Sequence, residues 1–281
     1  MRLSIITINR NNAEGLEKTM LGVATQTFKE LEYIVVDGAS TDGSVEVIKR
    51  LEPQFTHLKW VSEPDKGIYN AMNKGLRMAS GDYIQILNSS DCLASDSVTE
   101  RMLAALEKVG NPSVIYGNMI KCFPNGKKEV DKCFAGQEIT MLGMYMGTLN
   151  HDPAYIRRDL FEKYGYYDEN LKIVSDWKWY LKAIVLGGEK PQYVDLNVTF
   201  FDMTGISETN KEAERAERKQ VLEQLFPHTI LSDYERFAFP IDQIKRLQNH
   251  PWAYKMVWIL ERCLFKLEKI KRKKTKIFQY E

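Results

Sequence analysis

Carboxylates and carboxamides gather at four places in this 281-residue chain, each directly after a short apolar run. Asn9 and Asn11 follow the run 3–8, Asp37 and Asp42 the run 33–36, and Asp65 the run 58–61. Asn88, Ser90 and Asp91 follow the run 83–87. A carboxylate among small polar neighbours suits a hydrated divalent cation that carries substrate phosphates. Further on, Asp176 stands before Trp177, Trp179 and Tyr180. Such an aromatic neighbourhood can exclude water and tune a carboxylate that accepts a proton. His151, in the polar stretch 147–153, is a candidate contact to phosphate or metal, although a lone loop histidine is also an ordinary structural residue.

The elements that must position these residues can be read from periodicity. The four apolar runs are short and rich in β-branched side chains, as buried parallel strands are. A helix is expected over 13–25, with Leu16, Met20, Val23 and Ala24 on its core face, and another from Ser44 with Val45, Ile48 and Leu51. A third has Ile68, Ala71, Met72, Gly75, Leu76 and Ala79 on one side and stops at Ser80-Gly81-Asp82. Strand and helix alternate four times, which predicts an open α/β sheet with crossover helices. Ligands of such sheets sit beyond the carboxyl ends of the strands, so the four polar clusters describe one pocket. Downstream, a helix is expected from Ser95 or Asp96 to about 109. A hairpin of strands 114–123 and 127–134 turns on Pro124-Asn125-Gly126. Then come helix 159–164, a helix opening near Asp176, strand 192–198, loop 203–207 and a charged helix 208–225.

Bulk properties exclude several classes. A net charge of +1 gives no field for nucleic acid, and 44% hydrophobic with 27% charged residues is ordinary for a soluble domain. Cys92, Cys122, Cys133 and Cys263 have no C-x-x-C spacing, which fits a reducing cytosol better than a disulfide framework or zinc site. Met1-Arg2 leads straight into a strand with no signal peptide, and no uncharged apolar run is long enough to span a bilayer. There is no G-x-G-x-x-G after the first strand, no P-loop and no G-x-S-x-G elbow. Near the end, Trp252, Met256, Ile259, Leu260, Cys263, Leu264, Leu267 and Ile270 form an apolar stripe. Lys266, Lys269, Lys271, Arg272, Lys273, Lys274 and Lys276 accompany and follow it. That suits a helix lying on an anionic membrane, or one packed on the domain with a solvated basic tail.

Several short motifs recur here in a specific order: Asp65-Lys66-Gly67, Ala71-Met72-Asn73-Lys74-Gly75, Gly81-Asp82-Tyr83-Ile84 and Asn88-Ser89-Ser90-Asp91. They are followed by His151, Arg157-Arg158-Asp159-Leu160-Phe161, Gly165-Tyr166-Tyr167-Asp168, Ser175-Asp176-Trp177 and Gly205-Ile206-Ser207. Together they resemble the family 2 glycosyltransferases of GT-A fold, over residues 1 to about 207, and the 64–75 wording resembles a subgroup that builds bacterial surface polysaccharides. The resemblance implies a GT-A (Rossmann-like) mixed, mainly parallel sheet flanked by helices. Residues 1–95 would be its nucleotide-binding half, 96–207 its acceptor half, and 208–281 a helical C-terminal extension with a basic tail.

It also implies a reaction: an acceptor hydroxyl attacks the anomeric carbon of a nucleotide sugar, with inversion. The donor would be a UDP-sugar, the acceptor a saccharide or lipid-linked saccharide, the cofactor Mg2+ or Mn2+, and the place the cytoplasm at the inner face of the membrane. Asp91 would be the metal ligand, with Ser90 and His151 beside it. Thr7, Asn9, Asp37, Asp65, Lys66, Asn73 and Asn88 would bind the nucleotide sugar, and Asp176 would be the catalytic base, with Asp152 and Asp168 the next carboxylates to consider. The sequence departs from the family's D-x-D pattern: Asn88 and Ser90 stand at its two Asp positions and only Asp91 keeps a carboxylate, so the metal would lean more on substrate phosphates. Asp37-Gly38 also reads as an Asx turn, Asp65-Lys66-Gly67 as an exposed turn, and Asp176 as a helix-start acid. Two other functions remain open: a non-catalytic sugar-nucleotide-binding scaffold, and a sugar-1-phosphate nucleotidyltransferase. The second would want a glycine-rich loop after the first strand, where Asn9-Arg10-Asn11-Asn12 stands.

Overall fold

The computed structural model of the chain describes residues 3–205 and 210–277, with side chains as far as Lys269. The expected Gly205-Ile206-Ser207 loop and the start of the charged helix at 208 therefore lie partly outside the described residues. The four apolar runs form β1 (Leu3–Asn9), β2 (Leu31–Asp37), β3 (Leu58–Ser62) and β4 (Tyr83–Ile86), all parallel in the order β3-β2-β1-β4. Every residue of β1 and β2 is buried, as strands covered on both faces require. The crossovers are α1 (Ala13–Ala24), α2 (Ser44–Leu51) and α3 (Ile68–Met78). Helix α3 lies directly on β1. A Cβ on Gly75 would come within 2.4 Å of Ile6 Cγ2, so the helix could not approach with a larger residue there.

Beyond β4 the sheet turns mixed. The elements are β5 (Cys92–Leu93), α4 (Val98–Lys108), β6 (Val114–Cys122), β7 (Lys128–Asp131), α5 (Met141–Met146), β8 (Ala154–Arg157) and α6 (Asp159–Tyr164). Then follow α7 (Ser175–Tyr180), a wider π turn (Leu181–Leu186) and β9 (Gln192–Asp202). β8 is antiparallel to both β4 and β6, β6 runs parallel to β9, and β5 closes the order against β9. The mixed, mainly parallel α/β sheet expected of a GT-A fold is present. The predicted hairpin also forms, with Gly126 at φ +82° in its turn. Its second strand is shorter than expected, because Cys133 and Ala135 take positive φ and end the pairing. β9 is longer than expected and carries the chain to Asp202.

Two compact units emerge, 1–225 and 226–281. The division falls after α8 (Lys211–Leu225) rather than at 207, because this helix is tied to the first unit. Val221 is buried, Glu217 accepts from the backbone N–H groups of Lys172, Ile173 and Val174, and Lys178 donates to Gln224. The second unit is helical: α9 (His228–Gln248), with Pro240 in its interior, and α10 (Pro251–Ile277). Among the described residues no helix is long and apolar enough to cross a membrane.

Candidate active site

Two polar groups form at the carboxyl ends of the parallel strands. The first joins Asn9, Asp37 and Asp65. Asp37 is fully buried and accepts from Asn9 Nδ2 (2.9 Å), the Ser40 N–H (2.9 Å), Ser40 Oγ (2.5 Å) and Ser62 Oγ (2.6 Å). Burial would raise its pKa, but these four donors together hold it below the ordinary value. Asp65 lies against the next residue, Gly38: its Oδ2 is 2.2 Å from where a Cβ would stand there, and its Oδ1 accepts from the Gly67 N–H at 3.0 Å. A side chain at position 38 would therefore displace the Asp65 carboxylate from this place.

The second group lines a cavity of about 700 Å³ and spans both halves of the first unit. Asp91, after β4, is buried and accepts from the Asp202 N–H at the end of β9 (2.9 Å). Asp152 is buried beside it and lies 3.4 Å from His151 Nε2. The other ring nitrogen, His151 Nδ1, is 3.1 Å from Asp176 Oδ2. Asp176 Oδ1 is 2.9 Å from the Tyr69 hydroxyl, which also stands 2.5 Å from the Ile173 carbonyl. The result is a continuous row: Asp91, Asp152, His151, Asp176, Tyr69.

The charges in this row follow from its burial. Burial and the neighbouring Asp152 carboxyl push Asp91 well above the usual carboxylate range, and burial raises Asp152 against the pull of His151. Burial alone would lower His151, but Asp152, Asp176 and Asp91 raise it to about 9. Burial would raise Asp176 too, yet its bonds to His151 and Tyr69 hold it below its ordinary value, so it is a carboxylate. The arrangement presents one ready proton acceptor, Asp176. It also holds a buried pair of carboxyls, Asp91 and Asp152, side by side.

Other expected site residues are placed differently. Thr7 is fully buried and its hydroxyl accepts from Tyr33, so it belongs to the core beneath the strand ends. Asn73 is buried in α3 with its bonding capacity spent inside the chain. Its Nδ2 donates to the Tyr167 carbonyl (2.9 Å) and Glu169 Oε1 (2.8 Å), and its Oδ1 accepts from the Tyr167 N–H (3.0 Å). In this arrangement Asn73 ties α3 to the 165–169 turn rather than reaching a ligand. Lys66 is exposed on the turn before α3. Ser90, at φ +85°, turns its hydroxyl to Asn12 Nδ2 (2.9 Å) on the α1 side. Asn88 Nδ2 lies 3.3 Å from His151 Nε2, while its Oδ1 is buried without a partner. Asp168 is engaged by Lys178 at 2.7 Å.

Three participants escaped sequence reasoning or stood only as second choices. Asp152 follows His151 directly, and its neighbour's chemistry was the available signal. Tyr69 and Asp202 carry no local signal, since Tyr69 enters the row, and the Asp202 N–H reaches Asp91, only through tertiary contact. Among the described residues, no group of three or more His, Cys, Asp and Glu is set to hold a metal ion. What stands ready is an incomplete oxygen set: the Asp91 and Asp152 carboxyls and the unpartnered Asn88 Oδ1.

The family model described as glycosyl transferase family 2 matches residues 4–165, which carry β1 to β4 and the Asp91–His151–Asp152 cluster. The chain belongs to that family. This glycosyltransferase is 30% identical over 212 residues to an uncharacterised glycosyltransferase of Mycobacterium tuberculosis, covering 73% of this chain and 76% of the relative. A PGL/p-HBAD biosynthesis glycosyltransferase of Mycobacterium bovis is 24% identical over 221 residues, covering 76% and 82% of the two chains. Among solved structures, S. aureus TarS in complex with UDP aligns with a TM-score of 0.61 at 20% identity, covering 72% of this chain. The glycosyltransferase spans about three-fifths of that TarS chain, 60% of its length. A mannosyltransferase of Pyrobaculum calidifontis, in complex with GDP-Man and Mn2+, aligns with a TM-score of 0.60 at 20% identity, covering 90% of this chain and 72% of that one. At these identities the structural likenesses establish the GT-A fold.

Proposed function

We propose that the chain is an inverting glycosyltransferase that moves a sugar from a nucleotide sugar, a UDP-sugar first, to a saccharide or lipid-linked saccharide in bacterial surface polysaccharide synthesis. The observation that carries this reading is that Asp91, from the nucleotide half, and Asp176, from the acceptor half, meet in one cavity through Asp152 and His151. The nucleotide would lie along the strand ends at Asn9, Asp37 and Asp65, with Lys66 at the turn and Asn88 nearer the diphosphate. The acceptor hydroxyl attacks the anomeric carbon, Asp176 takes its proton, the bond to the phosphate oxygen breaks, and the nucleoside diphosphate leaves. Asp176 is part-buried beside Trp177, Trp179 and Tyr180, and it is aimed by His151 and Tyr69. Such aiming lets it act on a hydroxyl brought into the cavity.

Asp91, Asp152 and Asn88 Oδ1 fit a hydrated Mg2+ or Mn2+ that completes its shell with diphosphate oxygens, since two buried carboxyls and an unpartnered amide oxygen are relieved by one dication. Such an ion supplies the positive charge that stabilises the leaving diphosphate. His151, beside Asp152 and Asp176, would stand next to that charge.

The second unit supports a cytoplasmic enzyme held at the inner face of an anionic membrane. Trp252, Met256, Leu260, Leu264 and Phe265 on α10 are exposed, and Lys255, Arg262, Lys266 and Lys269 accompany them. Apolar surface of this kind beside basic residues suits an acidic lipid surface. A panel of UDP-glucose, UDP-galactose, UDP-N-acetylglucosamine and GDP-mannose, assayed for binding and for hydrolysis with and without manganese, tests the reading. Manganese-dependent release of a nucleoside diphosphate supports it. Binding of all four donors without turnover by any would replace the enzyme with a scaffold.

A further inference from the structure

Helix α8 lies outside the region matched by the family model, yet it grips both segments that deliver the Asp176–His151 pair. Glu217 faces the chain just before α7. Its Oε1 accepts from the Lys172 N–H (2.7 Å), and its Oε2 accepts from the Ile173 (2.9 Å) and Val174 (3.2 Å) N–H groups. Three successive amides that would otherwise lack partners at the start of α7 thus converge on one carboxylate. Asp176 is the second residue of that helix, and the Ile173 carbonyl in the same gripped segment stands beside the Tyr69 hydroxyl.

The next residue, Arg218, reaches the opposite wall. Its Nη1 donates to the Gly147 carbonyl (3.0 Å), its Nε donates to Glu214 (3.0 Å), and its guanidinium lies 4.5 Å from the centroid of the Trp177 ring. Trp177 Nε1 in turn donates to the Met144 carbonyl at 2.8 Å. His151 sits four residues beyond Gly147 on that same segment. Adjacent residues on α8 therefore fix the backbone of the base on one side and of its histidine on the other.

We propose that Glu217 and Arg218 are positioning residues that set the Asp176–His151 distance, which makes α8 part of the acceptor half. The proposal rests on the reading of Asp176 as the base. Arg218 lines the cavity while Glu217 does not, so the loss of Glu217 is the change that should act on the rate and not on donor binding. A base displaced by about 1 Å loses up to about 10²-fold in rate.

The test compares Glu217→Ala, Glu217→Gln and Arg218→Lys with the wild type and with Asp176→Asn. Turnover is nucleoside diphosphate release from the donor that the panel selects, UDP affinity is measured by calorimetry with manganese, and folding by thermal melting. Glu217→Ala should lower kcat by about 10- to 100-fold with UDP affinity within about twofold. Glu217→Gln, which keeps one accepting oxygen for the Ile173 and Val174 N–H groups but turns an amide donor towards the Lys172 N–H, should recover only part of the kcat lost in Glu217→Ala. Arg218→Lys, which loses the planar fork and its stacking, should fall between them. Should Glu217→Ala not fold, Glu217→Asp replaces it, with the charge kept and the reach one methylene short, and the same fall in kcat is expected. Unchanged kcat in a folded Ala or Asp variant overturns the proposal. So does a loss of kcat matched by an equal loss of UDP affinity, which would mark general damage. If Asp176→Asn itself turns over at the wild-type rate, the reading of the base fails instead, and the two failures are told apart.

Discussion

Replacing Asp176 with Asn is the most direct test of the site. The two side chains have the same shape, and the asparagine Oδ1 can still accept from Tyr69, which stands 2.9 Å from Asp176 Oδ1. The other position changes character. Oδ2, 3.1 Å from His151 Nδ1, becomes an amide that offers hydrogens to a nitrogen already carrying one. His151 also loses one of the three carboxylates that raise its pKa to about 9, so it is less firmly charged in the variant. What is lost outright is the proton acceptor. A positioned general base contributes about 10²–10⁴-fold, which corresponds to about 2.7–5.5 kcal/mol of barrier. Asp176 lies outside the Asn9–Asp37–Asp65 group, so UDP affinity should stay within about twofold. Calorimetry with UDP and manganese, run beside a turnover assay, separates these quantities. A variant that transfers sugar within about fivefold of the wild-type rate would refute the assignment. So would a UDP affinity that falls as far as the rate, since the loss would then lie in binding.

Three other outcomes are expected. Asp91→Asn should weaken manganese and UDP binding together with turnover; a variant that loses turnover alone would remove Asp91 from the diphosphate side. Glu32→Gln should destabilise the fold in a pH-dependent way. Glu32 is buried at the amino end of the sheet, held by Ser4, Ser80 and Lys59, and its pKa is lowered from 4.5 to about 2 because these bonds and the lysine outweigh burial. That difference corresponds to about 3 kcal/mol before screening, and about 2 kcal/mol once the half-exposed Lys59 is discounted. A lowered folded-state value means the stabilisation is complete above pH 4.5 and fades as pH falls towards 2. Urea denaturation should therefore show a wild-type advantage over Glu32→Gln at pH 7 that shrinks below pH 4; an advantage constant between pH 7 and pH 3 would contradict it. A chain ending at residue 250 should keep turnover but float less well with anionic liposomes, since each basic residue near such a surface adds about 1 kcal/mol; unchanged flotation would assign α10 to packing.

Much of the nucleotide half was legible because both faces of β1 and β2 are covered, so their sequences are almost uninterrupted apolar runs with polar residues only at the ends. The same rule located Asn9, Asp37, Asp65 and Asp91. It did not say whether a ligand or the chain itself takes up their bonds. Asn73 and Asp152 mark the two directions of that gap. Asn73 sits in a motif that resembles a ligand contact, and the 165–169 turn takes its amide at both ends. Asp152 sits in a plain loop, and burial beside Asp91 makes it part of the row. Local pattern reports that a polar residue has a task, while the partner comes from contacts more than sixty residues away. The domain boundary has the same origin. α8 reads as a charged surface helix, and only the three amides gathered by Glu217 reveal that it belongs with α7.

The geometry also accounts for the missing acids of the D-x-D pattern. Asn88 and Ser90 carry no charge, and Ser90 faces α1, so the end of β4 contributes one carboxylate to the cavity. A second one arrives from Asp152, on the chain just before β8, which pairs antiparallel with β4 and thereby brings the 150–153 stretch to the same edge. Two acids close together in a buried site are unfavourable unless a proton or a cation lies between them. In a D-x-D motif both charges come from one loop. Here they come from two segments, and His151, adjacent to Asp152 in sequence and in contact with Asp176, links that pair to Asp176. The carboxylate missing at the end of β4 thus has a counterpart across the sheet in Asp152, and on the reading proposed above the two would share the neutralisation of a diphosphate with a cation.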